Sequence, residues 1–299
     1  MKILVTGSSG LIGSALISTL TEQGHEVKKL VRTDPASGQD EVHWSPESGS
    51  IDKGGLEALD AVVHLAGENI ASGKWTPEKK ARIRDSRVEG TRLLCETLAQ
   101  LERPPKVSVC SSAIGFYGDR GDAAVDEAAF SGSGFLPDVC QEWEEATGSA
   151  AEAGIRVVNL RIGVVLSPDG GALAKMLPPF KMGSGGKLGN GKQYISWIAL
   201  DDVVGVINHV LSQDGLHGPV NAVSPQAVTN SELTKTLGRV LNRPTVFGMP
   251  AFMVRSVFGE MADEMLLVST RVEPARLSET GYTFQYPDLE VTLRHLLGK

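Results

Sequence analysis

Three glycines at intervals of three, Gly7, Gly10 and Gly13, follow the apolar run Ile3-Leu4-Val5 and open a segment of helical periodicity over 10–23. A glycine triplet alone is a weak pattern, but between a buried strand and a helix it leaves the chain few alternatives. Gly7 permits a tight turn, Gly10 lets backbone N–H groups approach an anion at the helix start, and Gly13 lets the helix lie close on the sheet. The stretch Thr6-Gly7-Ser8-Ser9-Gly10-Leu11-Ile12-Gly13 therefore reads as a pyrophosphate-binding turn contacted through Gly7, Ser9, Gly10, Leu11, Ile12 and Gly13. The alternative is a purely structural turn.

Short β-branched runs alternate with helical patterns through the first half of the chain. Strands are expected over 3–6, 26–31, 61–65, 107–111 and 156–161, and helices over 10–23, 77–101 and 137–153, with Thr76 capping the second before Pro77. Alternation of this kind specifies βαβ units, an α/β fold with a Rossmann doubly wound parallel sheet that binds ligands at the carboxyl edge of its strands. The expected division is a dinucleotide-binding domain over 1–165 and a smaller C-terminal substrate lobe over 166–299, interleaved with it. Ser167-Pro168-Asp169-Gly170-Gly171, Pro178-Pro179 and the glycine-rich run 183–191 suggest one long substrate-covering loop anchored by Met176, Leu177 and Phe180. A final helix is expected over 288–297.

Cofactor choice is read at the end of the second strand. An acidic residue there would hold the ribose 2′-hydroxyl of NAD, but the chain has Val31-Arg32, and Asp34 stands before Pro35 as a turn former. Arg32 offers a charge-assisted fork to a 2′-phosphate, so NADP is the expected cofactor; the alternative is a solvated surface charge.

The remaining composition bounds the partners. A net charge of −7 with 22% charged residues argues against nucleic acid or an anionic membrane, leaving a small-molecule substrate. Cys95, Cys110 and Cys140 show no metal-like spacing, no His/Cys/Asp/Glu cluster supports a metal, and no apolar run reaches spanning length. A cytoplasmic protein is the expectation, and a homodimer built on the helix over 77–101 stays open.

The glycine loop, the strand ending Val63-His64-Leu65-Ala66-Gly67, the helix with Val88-Glu89-Gly90-Thr91, and Ser111-Ser112-Ala113 before Tyr117-Gly118 resemble the extended branch of the short-chain dehydrogenase/reductase superfamily. His64-Leu65-Ala66-Gly67-Glu68-Asn69-Ile70, Trp143-Glu144, the run 189–198 and Asp201-Asp202-Val203 narrow the resemblance to an atypical, NAD-dependent epimerase/dehydratase-like family with its own C-terminal extension. The similarity spans essentially the whole chain. It implies cofactor contacts from Leu65, Ala66, Gly67, Val31, Ser111 and Arg161, with Ser112 at the serine position that orients a substrate oxygen. Arg87 stands where the matched pattern has Asn, and the resemblance supports Arg87 and Arg82 as contacts for cofactor phosphate; the alternative is a solvated basic helix face.

The resemblance breaks at the acid/base pair. Tyr-x-x-x-Lys is absent: four positions after Tyr117, Tyr194, Tyr282 and Tyr286 stand Gly121, Ile198, Tyr286 and Glu290. Tyr117 is the candidate substitute proton donor, with aromatic packing as its alternative. Two functions follow. One is an NADP(H)-dependent oxidoreductase or epimerase-like enzyme using Ser112 and Tyr117 on a small carbonyl or nucleotide-sugar-like substrate. The other is an NADPH-binding regulatory or scaffolding protein without turnover, for which the resemblance suggests a link to cell division.

Overall fold

The computed structural model describes residues 1–35 and 40–299, in two compact units that alternate along the chain. The first comprises Met1–Ser112, Val139–Leu160 and Ile207–Val220, and the second Ala113–Asp138, Arg161–Val206 and Asn221–Lys299.

The chain opens with β1 (Lys2–Thr6), α1 (Leu11–Glu22), β2 (Glu26–Val31), β3 (Glu41–Ser45), β4 (Ser50–Ile51), β5 (Ala61–His64), α2 (Pro77–Ala99) and β6 (Val107–Ala113). It continues through β7 (Ala124–Val125), α3 (Phe135–Glu145), α4 (Gly148–Glu152), β8 (Arg156–Ile162), β9 (Val164–Ser167), α5 (Gly171–Lys181), β10 (Tyr194–Ile195), β11 (Trp197–Ala199), α6 (Leu200–Ser212) and β12 (Gly218–Ala222). The last elements are β13 (Val228–Thr229), α7 (Asn230–Leu241), α8 (Ala251–Phe258), β14 (Arg271–Val272), α9 (Ala275–Glu279) and α10 (Leu289–Leu297).

Eight strands form one sheet in the order β12-β8-β6-β5-β1-β2-β3-β4. Pairs β1/β2, β1/β5, β2/β3 and β5/β6 are parallel, and the short β4 runs antiparallel to β3. Winding proceeds outward from β1 through β2 on one side and through β5 on the other, so the strand order reverses between β1 and β5. This is the doubly wound α/β fold the alternating pattern called for, and its switch point is where such sheets bind ligands. Strands β1 and β5 are apolar throughout their interior, Ile3-Leu4-Val5 and Ala61-Val62-Val63 being fully buried, because helices cover both faces of a parallel sheet. Leu4, Val62, Leu94, Leu98 and Trp44 belong to the main core of the first unit.

In the second unit, Leu173, Leu177 and Phe180 of α5 pack with Trp197, Leu233, Leu237 and Leu293. Asp202, fully buried, accepts from the Gln285 and Tyr286 N–H groups at 2.8 and 2.9 Å and from the Tyr282 hydroxyl at 3.2 Å, so it fastens the segment 282–286.

Two expectations about local structure need correction. The region 166–197 is not one long loop: residues 171–181 form α5, whose Leu173, Leu177 and Phe180 recur at helical spacing and outweigh the prolines near its end. The helix expected over 137–153 is two, because Thr147 turns back to donate both its N–H (3.2 Å) and its hydroxyl (2.7 Å) to the Glu144 carbonyl and so interrupts the ladder between α3 and α4.

Candidate functional site

Parallel register sets the carboxyl ends of four strands side by side: Thr6 faces Leu30 and His64, and His64 faces Cys110. One edge of the first unit therefore receives the glycine loop after β1, Val31 and Arg32 at the end of β2, Leu65-Ala66-Gly67 after β5, and Ser111 and Ser112 late in β6.

The loop is shaped by close approach. Gly7 sits at φ +64°, and a Cβ there would meet the Leu65 carbonyl carbon and oxygen at 2.8 Å. A Cβ on Gly13 would run into the Gly7 carbonyl oxygen. Helices α2, α7 and α10 are capped by the side chains of Thr76, Thr229 and Asp288, whereas α1 at Gly10, like α5 at Gly170 and α8 at Pro250, has no side-chain cap. The first-turn N–H groups of α1 carry the positive end of the helix dipole at exposed Ser9 and Gly10, which is the arrangement an anion needs.

Positive charge gathers nearby. Glu68 takes the Lys79 ammonium at 2.5 Å, and that bond, aided by the charges of Arg82 and Arg32, holds its carboxyl below the usual carboxylate range. Exposed Arg32 and Arg82, distant in sequence, thus stand within electrostatic reach of one carboxylate. Arg87 is built differently. Its Nη1 donates to the Glu68 carbonyl at 3.1 Å and the Ile83 carbonyl at 3.0 Å, its guanidinium lies 5.1 Å from the Trp143 ring, and a Cβ on Gly67 would stand 3.3 Å from its Cζ. Burial lowers the pKa of this guanidinium below the ordinary arginine value. Arg84, on the same face, pairs with Glu142.

Behind the edge runs a buried polar chain. The Thr6 hydroxyl oxygen accepts from the Leu65 and Ala66 N–H groups at 3.0 and 3.1 Å and lies 2.7 Å from His64 Nδ1. His64 Nε2 lies 3.0 Å from the Thr91 hydroxyl, which also accepts from Trp143 Nε1 at 2.9 Å. Since both lone pairs of Thr6 are taken, its proton goes to Nδ1, and His64 is the neutral tautomer that donates from Nε2. Burial lowers its pKa to about 4, in agreement with that assignment. His64 is thus a satisfied core histidine that ties Leu65-Ala66 to α2 and, through Thr91 and Trp143, to α3.

On the other side of this chain, Ser112, only 3% exposed, donates its hydroxyl to Glu144 Oε1 at 2.7 Å. Tyr117 and Arg161 belong to the second unit. The fully buried Tyr117 hydroxyl donates to Asn221 Oδ1 at 2.7 Å and accepts from Arg161 Nη1 at 3.0 Å, and burial raises its pKa. The Arg161 guanidinium lies 3.5 Å over the Phe116 ring. Lys79 carried no signal in the sequence, and Glu68 stood only inside the motif 64–70. Glu144 was visible only as half of the pair Trp143-Glu144, with no spacing that links it to a serine 32 residues earlier.

Residues 3–222 match the model of the NAD dependent epimerase/dehydratase family. The chain belongs to that family. Residues 249–296 match a second model, described as a domain of unknown function, DUF1731. An epimerase family protein of Mycobacterium bovis is 45% identical over 284 residues, covering 95% of this chain and 93% of its own length. The human epimerase family protein SDR39U1 is 36% identical with both chains covered in full, and its crystal structure with NADPH superimposes with a TM-score of 0.91. A nucleoside-diphosphate sugar epimerase from Corynebacterium glutamicum gives a TM-score of 0.81 at 38% identity, covering all of this chain and 58% of that one. Among the described residues, no group of His, Cys, Asp and Glu could hold a metal, and no helix is long and apolar enough to cross a membrane.

Proposed function

We propose that this epimerase-family chain is an NADP(H)-dependent, epimerase-like oxidoreductase acting on a small carbonyl or nucleotide-sugar-like substrate. The observation that carries the reading is that Arg32 and Arg82 both act on Glu68, just after the strand-end Gly67, on the edge that also carries the glycine loop. NADPH in the crystal structure of human SDR39U1 supports the choice of cofactor.

In this reading the first-turn N–H groups of α1, with Gly7, Ser9, Gly10, Leu11, Ile12 and Gly13, hold the pyrophosphate. Arg32 and Arg82 take the 2′-phosphate, with Val31 beside the adenosine. Leu65, Ala66, Gly67 and Ser111 line the dinucleotide, and Arg87 supports Gly67 from below. The nicotinamide, when bound, exchanges hydride with the substrate carbon. Ser112 orients the substrate oxygen. Tyr117 and Arg161 are assigned to bracing the second unit, since each other's polar atoms and Asn221 occupy the phenol.

That engagement of Tyr117 is also the one observation favouring the second reading, an NADPH binder without turnover. Deuterium transfer separates the two. Protein, NADPH deuterated at the nicotinamide C4 position and a panel of carbonyl compounds and nucleotide sugars are incubated, and products are weighed by mass spectrometry. The enzyme reading expects deuterated product, with Ser112→Ala slowing its formation about 100-fold or more while NADPH affinity stays within about twofold. Tight NADPH binding with no deuterated product from any compound in the panel would favour the regulatory reading.

A further inference from the structure

We infer that Glu144 is the proton-holding partner of Ser112, so that the two side chains together exchange a proton with a substrate hydroxyl or carbonyl oxygen. The inference rests on the NADP(H) reading above, and three features of the first unit carry it.

The first is direction. The Ser112 hydroxyl spends its proton on Glu144 Oε1 at 2.7 Å, which leaves the lone pairs of Oγ as the part of the group that a substrate O–H can address. A serine so engaged accepts a proton as it passes its own on. The second is rigidity. Trp143 is held through Nε1 on Thr91 at 2.9 Å and lies against the Arg87 guanidinium, and Thr147 Oγ1 donates to the Glu144 carbonyl at 2.7 Å, so the backbone on both sides of the carboxylate is fixed before any ligand arrives. The third is an unfavourable local choice. The last turn of α3 reads Glu142-Trp143-Glu144-Glu145 and carries no basic residue, which sets three acids against the negative end of the helix dipole. Arg84 offsets Glu142. Glu144 is instead turned onto the serine at the end of β6, one strand from Gly67. An acid placed against the local dipole and within reach of a strand-end serine is the kind of local departure found at working sites.

The proton balance closes on these two groups. When an alcohol is consumed, its O–H bond breaks as the proton joins Ser112 Oγ, and the Ser112 O–H bond breaks as that proton joins Glu144 Oε1. The electron pair left on the substrate oxygen becomes the second bond of the carbonyl, while the carbinol hydrogen leaves with its pair to an oxidised nicotinamide. Carbonyl reduction returns both protons by the same route. Glu144 acts through Ser112 and is a positioning residue in this scheme.

A measurement that needs no substrate tests the placement. The oxidised nicotinamide ring is cationic and the reduced ring neutral, so a carboxylate facing the reacting centre favours NADP+ over NADPH. Calorimetric titrations with both dinucleotides compare the wild type, Glu144→Gln and Glu144→Asp. The expected result is a loss of about fivefold or more in NADP+ affinity for Glu144→Gln, NADPH affinity within about twofold, and the preference restored by Glu144→Asp. Should Glu144→Gln lose its fold by circular dichroism, Glu144→Ala is the second neutral variant. Equal effects on the two dinucleotides, or none, overturn the inference and leave the cofactor reading standing. A wild type that binds neither overturns both.

Discussion

Gly13→Val is expected to abolish measurable NADPH binding, weakening it by at least about 100-fold. Any Cβ at this position enters the space of the Gly7 carbonyl oxygen, and the Gly7 carbonyl carbon and Ser8 Cα stand at 2.9 and 3.0 Å. Gly7 is itself tightly placed, since a Cβ on it would meet the Leu65 carbonyl at 2.8 Å and its φ of +64° is one that side chains rarely adopt. The helix α1 must therefore lift from β1, which moves the first-turn N–H groups off the anion. Overpacking of this kind costs about 1–3 kcal/mol as well, so thermal unfolding should fall by several degrees. Gly148→Ala is the matched control: a Cβ there meets nothing within 4 Å, and the variant should bind NADPH as the wild type does. A Gly13→Val protein that kept wild-type affinity would mean that the dinucleotide lies elsewhere.

Acid should weaken the first unit through one buried histidine, by about 3 kcal/mol. His64 has a folded-state pKa of about 4 against an ordinary value of 6.5. Between those values the unfolded chain binds a proton that the folded chain refuses, so stability is full above about pH 6.5, declines as pH falls, and levels off below about pH 4. The gap between these two values sets the magnitude. Protonation would turn His64 Nδ1 into a second donor facing Thr6, whose oxygen is already accepting from Leu65 and Ala66. Denaturant unfolding of the wild type and His64→Gln at pH 7.5 and pH 4.5 gives the double difference. The wild type should lose about 3 kcal/mol more than the variant over this interval; equal losses would show that His64 does not carry the dependence.

What the sequence made legible is what is local. The glycine spacing, the apolar strands β1 and β5 and the Thr76-Pro77 start of α2 are set by neighbours a few residues away, and each stands where expected. Strands β3 and β12 were missed because Glu41-Val42-His43-Trp44-Ser45 and Gly218-Pro219-Val220-Asn221-Ala222 hold short, mixed patterns whose place in the sheet comes from partners distant in sequence. Helix α5 was hidden by its own Pro178 and Pro179, although Leu173, Leu177 and Phe180 already carried the helical period. At the site the division is the same. Each strand end could be assigned a loop, but the joint influence of Arg32 and Arg82 on Glu68, and the bond of Ser112 to Glu144, exist only after β2, α2, β6 and α3 have packed. The chain that runs from Thr6 through His64 and Thr91 to Trp143 could not be traced from spacing, though the burial of His64 could.

The central claim is that this edge of the sheet takes a 2′-phosphorylated dinucleotide, and equilibrium titration of the wild type and Arg32→Ala with NADPH and NADH tests it directly. A charge-assisted bidentate contact to phosphate leads to a wild-type preference for NADPH of about 30-fold or more, reduced by about tenfold in Arg32→Ala through weaker NADPH binding alone. Equal wild-type affinity for the two dinucleotides, or an Arg32→Ala variant that retains the full preference, would contradict it.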